Sequence, residues 1–217
     1  MLNILLYASN VIIIVSFIIY LIMIFIGKKI KISGSNSFDI TKEITSKYNS
    51  INVIESKGYF SVYNIKRKVI KLSSMCYYGD DLSSITLALI EAGISIIDSN
   101  KNKYIDICRK IFSNLKILYL FPILAIFINS VTYTISDSKV SIIFVVIITF
   151  ITYMLIDIKS RANEWIKDNL RRIKDVSKDN LVKIIDFINK ILWLDKFIFM
   201  GEFIMIIRFM MILLEVN

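Results

Sequence analysis

The residues able to do chemistry in this chain are few and widely spaced. Glu91 is the single carboxylate in the apolar run Leu87-Ala88-Leu89-Ile90-Glu91-Ala92-Gly93-Ile94-Ser95. Asp157 follows a long apolar segment, and Glu202 and Arg208 interrupt the last one. Two thiols, Cys76 and Cys108, have no C-x-x-C spacing and build no disulfide framework. Histidine is absent, which removes the commonest general base and metal ligand. A carboxylate such as Glu91 either serves a function or finds a lysine or arginine partner, because an unpaired buried charge costs several kcal/mol. Glu91 with Asp157 would make an aspartic-type dyad only by sharing a proton, and no G-x-G-D-like stretch supports that. Cys76 and Cys108 as a metal pair would need further ligands nearby, and none adjoins them. Glu202 and Arg208 read as an interhelical structural pair, with a transport relay as the alternative. Gly93 reads as a close-packing position.

The elements that position these residues are mostly membrane helices. Of 217 residues, 56% are hydrophobic, with one proline, whereas soluble domains run about 45–50% apolar. Leu2–Ile26 carries no charge and ends at Gly27-Lys28-Lys29, long enough to cross a hydrocarbon core of about 30 Å. It lacks the basic start and small-residue cleavage site of a signal peptide, so an uncleaved span is expected. Leu115–Ile135 and Val140–Ile156 read as two more spans joined by the turn Ser136-Asp137-Ser138-Lys139. Ile191–Leu214 is the fourth.

Residues 28–114 are polar. Ser37 is expected to cap a short helix, Phe38–Tyr48, with Ile40, Ile44 and Tyr48 on one face. Tyr59–Tyr63 and Lys68–Leu72 alternate at period two around Asn64–Arg67, which predicts a β-hairpin. Asp81 is the expected N-cap of a helix over 82–97 that is apolar nearly all round, hence buried. Residues 159–190 read as a cytoplasmic amphipathic basic helix, in which Ile166, Leu170, Ile173, Leu181, Ile184, Ile185 and Ile188 can share a face. The expected fold is mainly α and multi-span. About four transmembrane helices (1–27, two within 115–158, and 191–217) flank a small cytoplasmic α+β region of helix, hairpin and buried helix.

Charge orients the spans. Residues 28–116 hold 15 lysines and arginines, the turn between the second and third spans holds Lys139 alone, and 159–190 hold 9. The positive-inside rule puts both large segments in the cytoplasm and both termini outside. The net charge of +9 belongs with anionic lipid headgroups rather than nucleic acid, because the basic residues sit near membrane ends.

From the linker Gly34-Ser35-Asn36-Ser37 onward the chain resembles the YugP-like family of bacterial neutral zinc metallopeptidases, which are small multi-span membrane proteins. The resemblance runs from Phe38–Tyr48 through Tyr63-Asn64, Val69-Ile70-Lys71-Leu72-Ser73 and Tyr77-Tyr78-Gly79. The family then carries an H-E-x-G-H helix, and Ile90-Glu91-Ala92-Gly93-Ile94 falls on it. Its E-F-D-A-S-R-R-A stretch falls on Leu155-Ile156-Asp157-Ile158-Lys159-Ser160-Arg161-Ala162, and its last helix on the span holding Arg208. In this class two histidines bind zinc and the glutamate activates water. The resemblance therefore makes Glu91 the general-base position and Asp157 a position that supports the ligands. It makes Ile90, Ile94 and Leu155 the former ligand positions. Zinc needs three donors of N, S or O, and isoleucine and leucine have no lone pair to give.

The implied function is a catalytically inactive membrane homologue of a neutral zinc metallopeptidase, without metal or cofactor. It would bind or scaffold a membrane-protein or protease partner in a bacterial cell membrane. Two alternatives stand beside it: a peptidase that finds zinc through other ligands, and a small multi-span channel or transporter using Glu202 and Arg208.

Overall fold

The computed structural model describes residues 2–34, 36–46, 51–58, 61–99, 105, 121–131, 135–170 and 176–214. The chain is mainly helical, with long apolar helices and one small sheet. In order the elements are α1 (Leu2–Gly27), α2 (Ser37–Thr45), β1 (Asn52–Ser56), β2 (Val62–Asn64), β3 (Val69–Ser73), α3 (Ser74–Tyr77), α4 (Leu82–Ser99), α5 (Phe121–Val131), α6 (Ile135–Leu170) and α7 (Lys178–Leu214). Among the described residues, four helices are long and apolar enough to cross a membrane: α1, α4, the Val140–Leu170 part of α6, and α7. Burial separates them. Only 17% of the most apolar window of α1 is covered by protein, against 72% for α4. A helix as apolar and bare as α1 needs lipid around it, whereas α4 has its surface covered within the protein, as its all-round apolarity predicts.

The chain forms two compact units. The first comprises Met1–Leu21, Ile117–Ile156 and Trp193–Asn217, and the second Ile22–Lys116 and Asp157–Leu192. In the first, α1, α5, α6 and α7 each send side chains into one core: Ile13, Ala125, Val145, Ile148, Met205 and Phe209. Gly201 lets α7 approach α1, since a Cβ there would lie 2.6 Å from Ile13 Cγ1 and 3.2 Å from the Ser9 carbonyl.

The second unit is built around α4 and a three-stranded sheet of order β1-β3-β2. The expected hairpin is present: β2 runs antiparallel to β3, with Tyr63 opposite Ile70. The part of its first arm at 59–60 lies outside the described residues. The third strand, β1, extends the expected helix–hairpin–helix layout. It pairs in parallel with β3, Val53 opposite Ile70 and Glu55 opposite Leu72. A parallel partner from before the hairpin leaves no turn signal in the sequence. The hairpin loop keeps Lys68 at φ 52°, in the left-handed region. That conformation costs a non-glycine residue about 1–2 kcal/mol, part of which glycine gives back in unfolded-state entropy. Lys68→Gly should therefore raise stability by about 0.5 kcal/mol, read as a higher urea midpoint at unchanged slope.

Two caps refine the helix starts. Asp81 caps α4 as expected, its carboxylate accepting from Ser84 N at 2.9 Å and from Ser84 Oγ at 2.7 Å. In α2 the cap is Asn36, not Ser37: Asn36 Oδ1 accepts from Asp39 N at 2.9 Å. Ser37 is engaged elsewhere, its hydroxyl donating to the Gly79 carbonyl at 2.9 Å. Gly79 sits where a Cβ would lie 2.5 Å from Ser84 Cβ and 2.6 Å from the Met75 carbonyl, so only glycine fits the corner. Ile40 and Ile44 are buried as their spacing predicts, while Tyr48 lies outside the described residues.

The segment after α1 is stitched to the start of α4: Ile32 N donates to the Asp80 carbonyl and Leu82 N to the Ile30 carbonyl, both at 2.8 Å. The Lys31 ammonium also donates to the Asp80 carboxylate. That hydrogen bond holds Asp80 below the usual carboxylate range and raises Lys31 above its ordinary value. The pair then helps folding between those two titrations. Its help fades as pH falls through the lowered Asp80 value or rises through the raised Lys31 value. Both side chains are exposed, so the effect is small and should vanish in 1 M salt, where screening shortens to about 3 Å. NMR titration of the Asp80 carboxyl with and without salt checks this.

Helix boundaries at the spans differ from the expected ones. The Ser136–Lys139 turn is instead the opening of α6, and the chain at 132–134 lies outside the described residues. Serine and aspartate suit a first helical turn as well as a loop. Of the span 115–135, α5 describes 121–131. The basic region 159–190 is not a helix of its own: its halves are the end of α6 and the start of α7. Ile166, Leu170, Leu181, Ile184 and Ile188 are buried there, Ile185 is half-buried, and Ile173 lies outside the described residues. Asn163 Nδ2 donates to Asn189 Oδ1 at 3.0 Å between the two helices.

Candidate functional site

Glu91 lies on α4 with Ile90 and Ile94, both buried, at 8% and 3% exposure. Its carboxylate faces the sheet, where Oε2 accepts from the backbone N–H of Tyr63 at 2.7 Å. Two turns on, Asp98 Oδ2 accepts from the Tyr63 hydroxyl at 2.6 Å. One tyrosine is thus gripped at both ends by carboxylates seven residues apart, a spacing that brings them back to the same helix face. The grip fixes β2 against α4 and satisfies an N–H that would otherwise point out from the edge of the sheet.

Gly93 is closed over as well. A Cβ there would lie 2.9 Å from Ala162 Cβ, 2.9 Å from Ile166 Cδ1 and 3.0 Å from the Ala162 carbonyl. The face that would border a substrate groove is packed under the end of α6. Asp157 forms an ion pair with Arg161 one turn along its own helix, at 2.9 Å, with Arg161 exposed and Asp157 half-buried. An (i, i+4) pair of that kind contributes about 0.3–0.5 kcal/mol and asks nothing of a metal site. Leu155 is buried in the first unit, while Asp157 belongs to the second. Cys76 is buried and free, and Cys108 lies outside the described residues. Among the described residues no three of His, Cys, Asp and Glu come together as a metal site. The carboxylates of α4 are instead arranged to accept hydrogen bonds from Tyr63.

The first unit holds a second polar site. Glu202 is fully buried, and Oε1 accepts from the Thr152 hydroxyl at 3.1 Å. Arg208 is 7% exposed, and Nη1 donates to the Asn129 carbonyl at 3.2 Å and to Asn129 Oδ1 at 2.7 Å. Asn129 Nδ2 continues the chain to Ser9 Oγ at 3.1 Å and Asn10 Oδ1 at 2.9 Å. Asn10 Nδ2 reaches Ser130 Oγ at 3.3 Å. Glu202 and Arg208 therefore bind other helices and not each other. Six residues along one helix separate them by about 9 Å of rise and put them on different faces. Among the described residues Glu202 Oε2 and Arg208 Nε have no hydrogen-bond partner. An apolar cavity of about 240 Å³ also lies in this unit, with Tyr20 and Asp195 as its polar members.

Sequence reasoning missed Asp98, Tyr63 and Asn129, and with them Thr152, Ser9, Asn10 and Ser130. Asp98 could have been found by its seven-residue offset from Glu91. Asn129 could have been found as a lone amide inside an apolar run, since polar groups in spans turn toward other helices. No protein-family model matches the chain, and neither a curated protein nor a solved structure does.

Proposed function

We propose that this chain is a non-catalytic multi-pass membrane protein, a zinc-less relative in layout of the neutral metallopeptidases, that binds or scaffolds a partner polypeptide. The observation that carries the reading is the engagement of Glu91. Its carboxylate accepts from Tyr63 N at 2.7 Å, between two buried isoleucines that cannot ligate zinc. With no lone pair at 90 or 94 to hold a metal, Glu91 has no metal-bound water to activate. The four crossings are α1, the 115–135 segment, the first part of α6 and the last part of α7. The lysine and arginine asymmetry then puts residues 28–114 and 159–190 on the cytoplasmic side of a bacterial membrane.

Elemental analysis of the full-length protein tests this directly. Zinc is expected well below one per chain, with no peptide hydrolysis, and Glu91→Gln should change neither. One zinc per chain that is lost on substituting Glu91, Cys76 or Cys108 would falsify it.

A second reading has its own observation, the buried Glu202 and Arg208 of the first unit. Charged side chains inside a membrane bundle often mark an ion path. Ion flux in proteoliposomes that disappears in Glu202→Gln would establish a channel or transporter instead.

A further inference from the structure

The two edges of the sheet are treated differently. At β2 the outward N–H of Tyr63 is capped by Glu91. At the opposite edge β1 pairs with β3 alone, and among the described residues no hydrogen bond reaches its outer side. Proteins usually guard such an edge with lysine, proline or a bulge. Asn52-Val53-Ile54-Glu55-Ser56 contains no lysine and no proline, and its pairing with β3 is in register through all five positions. Ile54 is 43% exposed. Glu55, the one charge on the strand, accepts from the Tyr78 hydroxyl at 3.1 Å. Met75 and Tyr78 are both exposed, and Tyr77 stacks on Phe38 at 4.4 Å between ring centres.

The geometry points to β1 as a docking strand for an extended segment of a partner polypeptide, which adds to the sheet as a fourth strand. A row of alternating N–H and C=O groups is matched by another extended backbone and by no lipid tail. Ile54 and Glu55 face opposite sides of the sheet, so consecutive residues of the guest meet them in turn. Cross-strand pairing then selects an apolar residue beside Ile54 and an adjacent lysine or arginine beside Glu55. The inference rests on the binding role proposed above and names the kind of partner it would take.

The test uses the full-length protein in phosphatidylcholine nanodiscs and a fluorescent Thr-Val-Lys-Val-Thr peptide read by anisotropy. Saturable binding is expected, about fivefold weaker when the lysine is replaced by glutamate. Binding should be lost when both valines are replaced by proline. Glu55→Lys should invert the charge preference, and Ile54→Lys should abolish binding of the lysine peptide. Because both side chains are exposed, thermal unfolding of these two variants should stay unchanged. Absence of saturable binding, equal affinity for the lysine and glutamate peptides, undiminished binding to Ile54→Lys, or the same signal from protein-free discs would each overturn the docking strand. Cleavage of a bound peptide would overturn the non-catalytic reading instead and leave the docking strand standing.

Discussion

Asn129→Leu is expected to lower the stability of the protein by about 3 kcal/mol, the loss when a buried charged group is deprived of a hydrogen-bond acceptor. The substitution keeps the branching of the side chain but strips Arg208 of its 2.7 Å acceptor and disconnects Ser9 and Asn10. A guanidinium 7% exposed cannot reach water to compensate. Arg208→Met removes the charge itself, so the double variant should be more stable than the sum of the two losses predicts, by about 1–2 kcal/mol. Equilibrium unfolding in mixed micelles measures all three. If the losses add to within about 0.5 kcal/mol, the network is a set of independent contacts and this account of it fails.

Gly93→Val should be nearly as costly, about 3 kcal/mol, through overpacking and the poor helix propensity of a β-branched residue. Of the three atoms a new Cβ would meet, one is the Ala162 carbonyl oxygen, which belongs to the backbone of a helix and cannot rotate away. Loss of about 8 °C in the unfolding midpoint follows for a chain of this size. Ala162→Gly removes one of the three obstacles and should restore only part of it. Unchanged stability in Gly93→Val would mean that Gly93 borders open space, and a groove at that face would have to be reconsidered.

Several parts of this molecule were legible in the residues themselves. Leu2–Ile26 announces a span because no charge interrupts it. Asp81 announces a helix start because a carboxylate precedes an apolar run. Tyr59–Tyr63 and Lys68–Leu72 announce a hairpin because their alternation has the period of a strand. Each signal is local, carried by residues within a few positions of one another. β1 has no such signal: Asn52–Ser56 becomes a strand by pairing with Val69–Ser73, and only the completed hairpin creates that partner. Helix ends were illegible for a related reason. Ser136-Asp137-Ser138 suits either a turn or a first helical turn, and packing along the rest of α6 chooses between them.

The candidate site divides in the same way. The types at positions 90, 91 and 94, and the absence of histidine, come from composition and spacing alone. They make zinc ligation at Ile90 and Ile94 chemically impossible, because a saturated side chain has no donor wherever the fold puts it. What Glu91 does in its place was decided only by the tertiary structure. The sequence makes it one carboxylate among apolar neighbours, equally able to meet a lysine, a substrate or a partner chain. Folding brought the edge of β2 across it, 28 residues away in sequence, and gave it the Tyr63 N–H. Hydrogen-bond partners at that separation depend on the packing of a whole unit, whereas the presence or absence of a lone pair belongs to the residue.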